Sequence, residues 1–379
     1  MDGKLENENY TYYYDYNESA YESAYESAYE SANESDQVCS SYSAFQGSNI
    51  FLPFMYYLIF FTGFLGNLFV ILVVGSKGKR GGRLVDTFVV NLALADLVFV
   101  VTLPLWAISA SQGNNQWDFG PASDWLCKLS SYIISVNRFS NIFFLTCMSV
   151  DRYLAIVRLM DSRYLRSSCC IRVTCALLWM LSLLLGIPSL LYRKVDPNGA
   201  CMEDSSDFFL GMTLAMVFLT FVFPVLIIVL CYGSIIMHLN KHCVAAANPR
   251  AEARRRHSLK MVLCIILAFV VSWLPFNIFK SMAVITHLSR VDLACRAQVW
   301  LTNGLLVSCC LAFFNSCVNP AIYLFLDQHF RRRAGSLCRR CVGKTNLPKS
   351  FSSSASFTNA GTSESLGTSG RAQLQICRQ

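Results

Sequence analysis

Seven stretches of this chain are apolar for well over a helix's worth of residues, near positions 51–75, 85–110, 126–157, 170–192, 208–238, 258–288 and 297–326. A helix rises about 1.5 Å per residue, so about 20 apolar residues cross the hydrocarbon layer of a bilayer. Each stretch is long enough. The pattern predicts an all-α membrane protein with seven transmembrane helices over residues 50–328, and the odd number puts the two chain ends on opposite sides.

Basic side chains decide which side. Lys77, Lys79, Arg80 and Arg83 follow the first stretch, Arg158, Arg163 and Arg166 the third, Lys241, Arg250, Arg254, Arg255 and Arg256 the fifth, and Arg331, Arg332 and Arg333 the seventh. Positive connections stay in the cytoplasm, so the N-terminus is expected outside. Residues 1–49 carry ten acids against one lysine, with sequons at Asn9, Asn17 and Asn33 as candidate glycosylation sites. Tyr12, Tyr13, Tyr14 and Tyr16 lie among acids and are candidates for sulfation; a merely solvated tail is the alternative. This segment has no core-forming pattern and is expected to be disordered. It has no apolar leader, so the first helix is expected to direct insertion.

Composition agrees with a membrane protein: 54% hydrophobic, 15% charged, mean hydropathy +0.40. The net charge of +8 is segregated between apolar runs, which is membrane topology rather than a nucleic-acid surface. Of 17 cysteines, seven (Cys147, Cys175, Cys231, Cys264, Cys309, Cys310, Cys317) sit inside apolar runs as small hydrophobes. Cys39, Cys127, Cys201 and Cys295 fall on the expected outer face, an even number that allows two bridges in three pairings. His238, His242, His257, His287 and His329 show no metal-ligand pairing, and no enzyme signature is present.

After the seventh stretch, residues 329–342 read as an amphipathic helix along the inner leaflet, with Cys338 and Cys341 as palmitoylation candidates. Residues 343–379 are rich in Ser and Thr, either a plain linker or a phosphorylation cluster that recruits a basic partner.

Between Cys127 and Asp151 in the third stretch stands a lone arginine, Arg138, fourteen residues and roughly 21 Å outward from Arg152. A guanidinium at mid-membrane costs at least about 2.5 kcal/mol, so it is expected to face a wet cavity or an anion. Lys280 and Trp106 lie in the outer halves of their helices, and Tyr132 and Cys309 join them as candidate lining residues. Such a cavity favours an anion, with Arg138 pairing bidentately with a carboxylate such as a peptide's C-terminus. The other reading is an arginine satisfied internally by Asn or carbonyl groups.

The motifs G-N-L-F-V from Gly66, L-A-L-A-D ending at Asp96, D-R-Y at Asp151, Arg152 and Tyr153, Trp179, Pro224 with Tyr232, F-x-x-x-W-L-P from Phe269 through Trp273 and Pro275, and N-P-A-I-Y from Asn319 through Pro320 to Tyr323 occur in order, one per helix. Together they resemble the rhodopsin-type G-protein-coupled receptors over residues 50–342. T-L-P-L-W, F-N-S-C-V-N-P, R-L-V-D-T-F, L-C-K-L-S-S and S-W-L-P-F-N resemble the chemokine and related peptide receptors, including orphan members of that branch.

The resemblance implies a receptor for an extracellular peptide or chemokine-like protein that activates a heterotrimeric G protein, of the Gi/o class, with arrestin, receptor kinases and membrane lipid as further partners. It implies bridges Cys127–Cys201 and Cys39–Cys295. It also implies a sodium ion among Asp96, Asn137, Asn141, Asn315, Ser316 and Asn319, a set of hard oxygens; a sodium-free polar network is the alternative. Asp151 would hold Arg152 at rest, and Arg152 would swing toward Tyr232 and Tyr323 when active, while Trp273 and Phe269 pass pocket occupancy to the kink at Pro275. Arg254, Arg255 and Arg256 stand where many relatives place a restraining acid, so basal activity is expected to be easier. Cys309 stands where chemokine receptors usually carry a glutamate. A scavenger that recruits arrestin without G-protein signalling, and a transporter, are the competing classes; the intact D-R-Y opposes the first, and the lack of internal repeats opposes the second.

Overall fold

A computed structural model of the chain describes residues 47–75, 84–112, 116–158, 167–242 and 249–342. It divides into two units, Met1–Leu337 and Cys338–Gln379, and among the described residues the first holds seven helices long and apolar enough to cross a membrane. These spans are Ser48–Gly75, Val85–Ser111, Gly120–Ile156, Cys169–Leu191, Asp207–Leu239, Leu259–Leu288 and Cys295–Leu326. Hydrogen-bonded helices satisfy their own backbone, the condition for crossing hydrocarbon.

The most apolar part of the third span is 56% buried, against 22% for the fourth. The second span is buried to the same extent, and the interior face of the third helix carries Ser130, Asn137, Ser140, Asn141, Ser149 and Asp151, all buried. The fourth and fifth spans present Leu177, Leu184, Val229 and Leu230 outward, as lipid-facing surfaces do.

Three prolines locally reshape the bundle. Pro104 begins a new helix, Leu103–Ser111, after the break at Thr102, whose hydroxyl donates to the Phe99 carbonyl at 2.8 Å. Ahead of Pro224 the fifth span passes through a π-helical turn, Phe218–Val222. A proline cannot donate into the ladder, and a widened turn accommodates the gap. Pro275 lies inside the helix Pro249–Leu288.

Between the fourth and fifth spans the chain forms an antiparallel hairpin, β1 (Arg193–Val195) and β2 (Cys201–Glu203), pairing Arg193 with Glu203. Gly199 closes the turn at φ +81°, and Asp196 Oδ1 accepts from the Ala200 amide at 2.7 Å. A disulfide joins Cys201 to Cys127 at the head of the third helix. The Val195 amide adds a bond to Asp124 Oδ1 at 3.2 Å.

At the other end a helix, Gln328–Val342, follows the seventh span. Asp327 Oδ1 accepts from the amides of His329 (2.9 Å) and Phe330 (3.3 Å), satisfying donors that a helix start leaves open. The Phe330 ring lies 6.1 Å from both Phe69 and Tyr323.

Candidate functional site: a cationic cavity and a polar core on one helix

Below the hairpin lies a cavity of about 230 Å³. On the third helix its wall is the stripe Ser131, Ile134, Ser135, Arg138 and Phe139, the three-and-four spacing of one helical face. Trp106, Lys280 and Cys309 line it too. Tyr132 does not. It sits six residues before Arg138, about 240° around the helix, and packs on the fourth span instead: its hydroxyl donates to the Leu183 carbonyl at 3.1 Å, and a methyl at Gly186 would meet its ring at 2.8 Å. Tyr132, expected among the lining residues, thus stands outside the lining of this cavity.

Arg138 donates through Nη2 to Asn277 Oδ1 at 2.6 Å. Its guanidinium carbon lies 5.5 Å from the Trp273 ring centre and 5.8 Å from those of Phe276 and Phe139, within cation–π range. Among the described residues no carboxylate is within ion-pair distance of it. Asn277 is held in turn by its own Nδ2, which donates to the Trp273 carbonyl at 2.8 Å. The indole N–H groups of Trp106 and Trp273 are buried with no acceptor among the described residues.

The cavity also holds an acid that sequence reasoning missed. Glu203 accepts from Arg193 at 2.7 Å and from the Lys280 ammonium, so Lys280 is already paired. Burial alone would raise the Glu203 carboxyl, but Arg193 and Lys280 outweigh it and hold it well below the usual carboxylate range. The signal was D-P-N-G at 196–199 between short β-prone runs, which marks a hairpin and places Glu203 opposite Arg193. The Arg193 guanidinium lies 5.8 Å from the Trp106 ring.

Toward the middle of the third helix, Asp96 is fully buried and saturated with donors. Its Oδ1 accepts from Asn137 (3.0 Å), Asn141 (2.9 Å) and Ser316 (2.8 Å), and its Oδ2 from Asn319 (3.0 Å). The side-chain oxygens of Asn141 and Asn315 are buried without a donor. An open amide oxygen on Asn141, which is bonded to the Asp96 carboxylate, fits a small hard cation, so the donor set is compatible with sodium.

Farther along, Arg152 pairs with Asp151 at 3.2 Å. The hydroxyls of Tyr232 and Tyr323 are buried with no partner among the described residues. Phe269 and Trp273 stack with centres 6.0 Å apart, linking cavity floor to core. Tyr153 packs against the same core, which Phe269, Trp273 and Tyr323 enter fully buried. Pro320 approaches Gly66 so closely that a methyl there would meet its ring at 3.0 Å.

Several candidates lie outside the described residues: Asn9, Asn17, Asn33, Tyr12, Tyr13, Tyr14, Tyr16, Cys39, and the side chains of Arg254, Arg255, Arg256 and Cys341. Cys295 is disulfide-bonded, and Cys338 is an exposed free thiol.

Residues 66–323 match the family described as 7 transmembrane receptor (rhodopsin family). Among curated proteins the chain is 39% identical to the probable G-protein coupled receptor 25 of Mus musculus, over 84% of this chain and 86% of that one. It is 35% identical to apelin receptor A of Danio rerio (90% and 91%) and 36% identical to G-protein coupled receptor 15 of Mus musculus (82% and 84%). A helix that carries a lined cavity near one end and the Asp151–Arg152 pair near the other is thus found in a chain that belongs to the rhodopsin family of seven-transmembrane receptors, proteins that are multi-pass membrane receptors and not enzymes.

Proposed function

We propose that the chain is a cell-surface receptor whose N-terminus and cavity face outward, that it binds an extracellular peptide or chemokine-like protein, and that its Arg152 end activates a heterotrimeric G protein of the Gi/o class. The observation that carries this is Arg138: a part-buried guanidinium at the cavity floor, facing aromatic rings, with a neutral amide as its partner. Asn277 supplies one acceptor, and a planar fork has further N–H groups for a ligand carboxylate.

The mechanism follows from what touches what. A carboxylate on Arg138 competes with Asn277 and shifts the guanidinium off the Trp273 face. Trp273 stacks on Phe269, and Pro275 removes a backbone bond just beyond them, so the sixth helix turns at that point. Opening the Arg152 end releases Arg152 from Asp151 toward Tyr232 and Tyr323, whose hydroxyls are unused at rest. A ligand that prefers this state shifts the population toward it, and the G protein binds the opened cleft. Asp96, Asn141, Asn315 and Ser316 would hold a sodium ion that favours the resting arrangement. Receptor kinases and arrestin would act on the Ser/Thr-rich tail, and lipid would hold the palmitoylated Cys338 and Cys341.

A screen of secreted peptides and chemokines tests this, read in parallel by arrestin recruitment and by Gi signalling. An activator that works on both readouts and loses potency on Arg138→Ala is expected. An activator that recruits arrestin alone would favour the scavenger reading.

A further inference from the structure

Glu203 is gripped by two cations that belong to different elements. Arg193 stands directly across the hairpin, fixed by backbone register, and bonds Oε1. Lys280 comes from the sixth span and bonds Oε2. Two residues before Glu203, Cys201 is bonded to Cys127, so the carboxylate is anchored to the head of the third helix. Its lysine rides on the helix that carries Trp273 and Pro275.

The charged residues lining the cavity are Arg138, Arg193, Lys280 and Glu203; three cations against one carboxylate leave a net charge of +2. Arg138 accounts for one unneutralised charge, since its partner is neutral. The other is shared over Arg193, Glu203 and Lys280. Of these three, the register-fixed Arg193 keeps Glu203, whereas a lysine is a flexible point charge with three donors that can turn to a new acceptor.

We propose that Glu203 is a built-in competitor for an anion subsite at Lys280: an acidic group of the ligand takes Lys280 from Glu203, which stays on Arg193. The ligand class is thereby a peptide presenting two anionic groups, one for Arg138 and a second for Lys280. This rests on the reading of Arg138 as a carboxylate receiver and extends it to a second group. Because Glu203 is held ionised, the competitor is charged whenever the ligand's carboxylates are. The exchange also severs the ion pair between the anchored hairpin and the sixth helix.

Full-length receptor in lipid nanodiscs, titrated with glutarate as a two-carboxylate probe at constant sodium and ionic strength, tests it through the melting temperature. Glu203→Gln removes the competitor and lowers the half-saturating glutarate concentration by about tenfold, while Lys280→Met abolishes the glutarate shift. Glu203→Gln placed in the Lys280→Met background restores nothing. Equal half-saturation in wild type and Glu203→Gln, or a gain that persists without Lys280, overturns the proposal. If Glu203→Gln does not fold, Lys280→Met decides alone, since a retained glutarate shift refutes the subsite. Arg138→Gln separates the two readings. A response that depends on Lys280 and Glu203 but not on Arg138 leaves the competitor standing and removes the floor carboxylate, and the reverse pattern does the opposite.

Discussion

Asp86 and Arg333 meet at 2.8 Å with less than a tenth of either side chain exposed, joining the start of the second span to the helix that follows the seventh. Breaking one side of a buried ion pair strands a charge, typically at about 3–5 kcal/mol, whereas replacing both partners by apolar groups is often near neutral. Asp86→Ala is therefore expected to lower the melting temperature steeply. The double variant Asp86→Leu with Arg333→Met is expected to recover most of the loss. A single variant as stable as wild type would remove the bridge from the account. The same helix places Phe330 on Tyr323, so its docking supports the N-P-A-I-Y end of the seventh span.

Tyr232 and Tyr323 carry buried hydroxyls with no partner among the described residues. Removing an unused hydroxyl is expected to leave resting stability within about 0.5 kcal/mol, because no hydrogen bond is lost. Ligand-stimulated nucleotide exchange is expected to fall about tenfold in each of Tyr232→Phe and Tyr323→Phe, since each removes a hydroxyl that the released Arg152 would reach. Thermal melting and exchange rates of the two variants check both halves. Full stimulation in the double variant would show that Arg152 finds another acceptor.

Sodium binding at Asp96 is expected to raise the melting temperature of wild-type receptor when sodium replaces potassium at constant ionic strength. Asp96→Asn removes the charge while keeping an amide to accept from Asn137 and Asn141, so it is expected to lose the sodium response and remain folded. An undiminished response in Asp96→Asn would move the ion elsewhere, and no response in wild type would mean that the four donors satisfy the carboxylate unaided.

How much of this was legible in the chain depended on the range of the interaction. Apolar runs report local free energy, so the seven spans and the lone arginine of the third could be read directly. Fixed helical spacing also placed Arg138 far from Arg152 along one helix. Tyr132 was misplaced because membership of a helix does not give its rotation; the spacing of 131, 135 and 138 held that information. Glu203 was missed for a different reason. Its partner Lys280 is 77 positions away on the sixth span, and only the packing of the hairpin against that helix brings the two together. An Asn was read as one possible internal partner of Arg138, but Asn277, quoted inside a motif, could not be singled out, since a contact between two helices leaves no local trace. The pairing of Asp86 with Arg333, two residues read separately as motif and topology signal, is of the same kind.

The central claim is that an anion at Arg138 frees Arg152 to drive nucleotide exchange. Its most direct test is GDP release from purified Gi by purified receptor, with an activating peptide supplied as free acid and as C-terminal amide, on wild type and on Arg138→Ala. The account predicts acceleration by the acid form on wild type, and none by the amide or on Arg138→Ala. Equal acceleration by both forms on both receptors would contradict it.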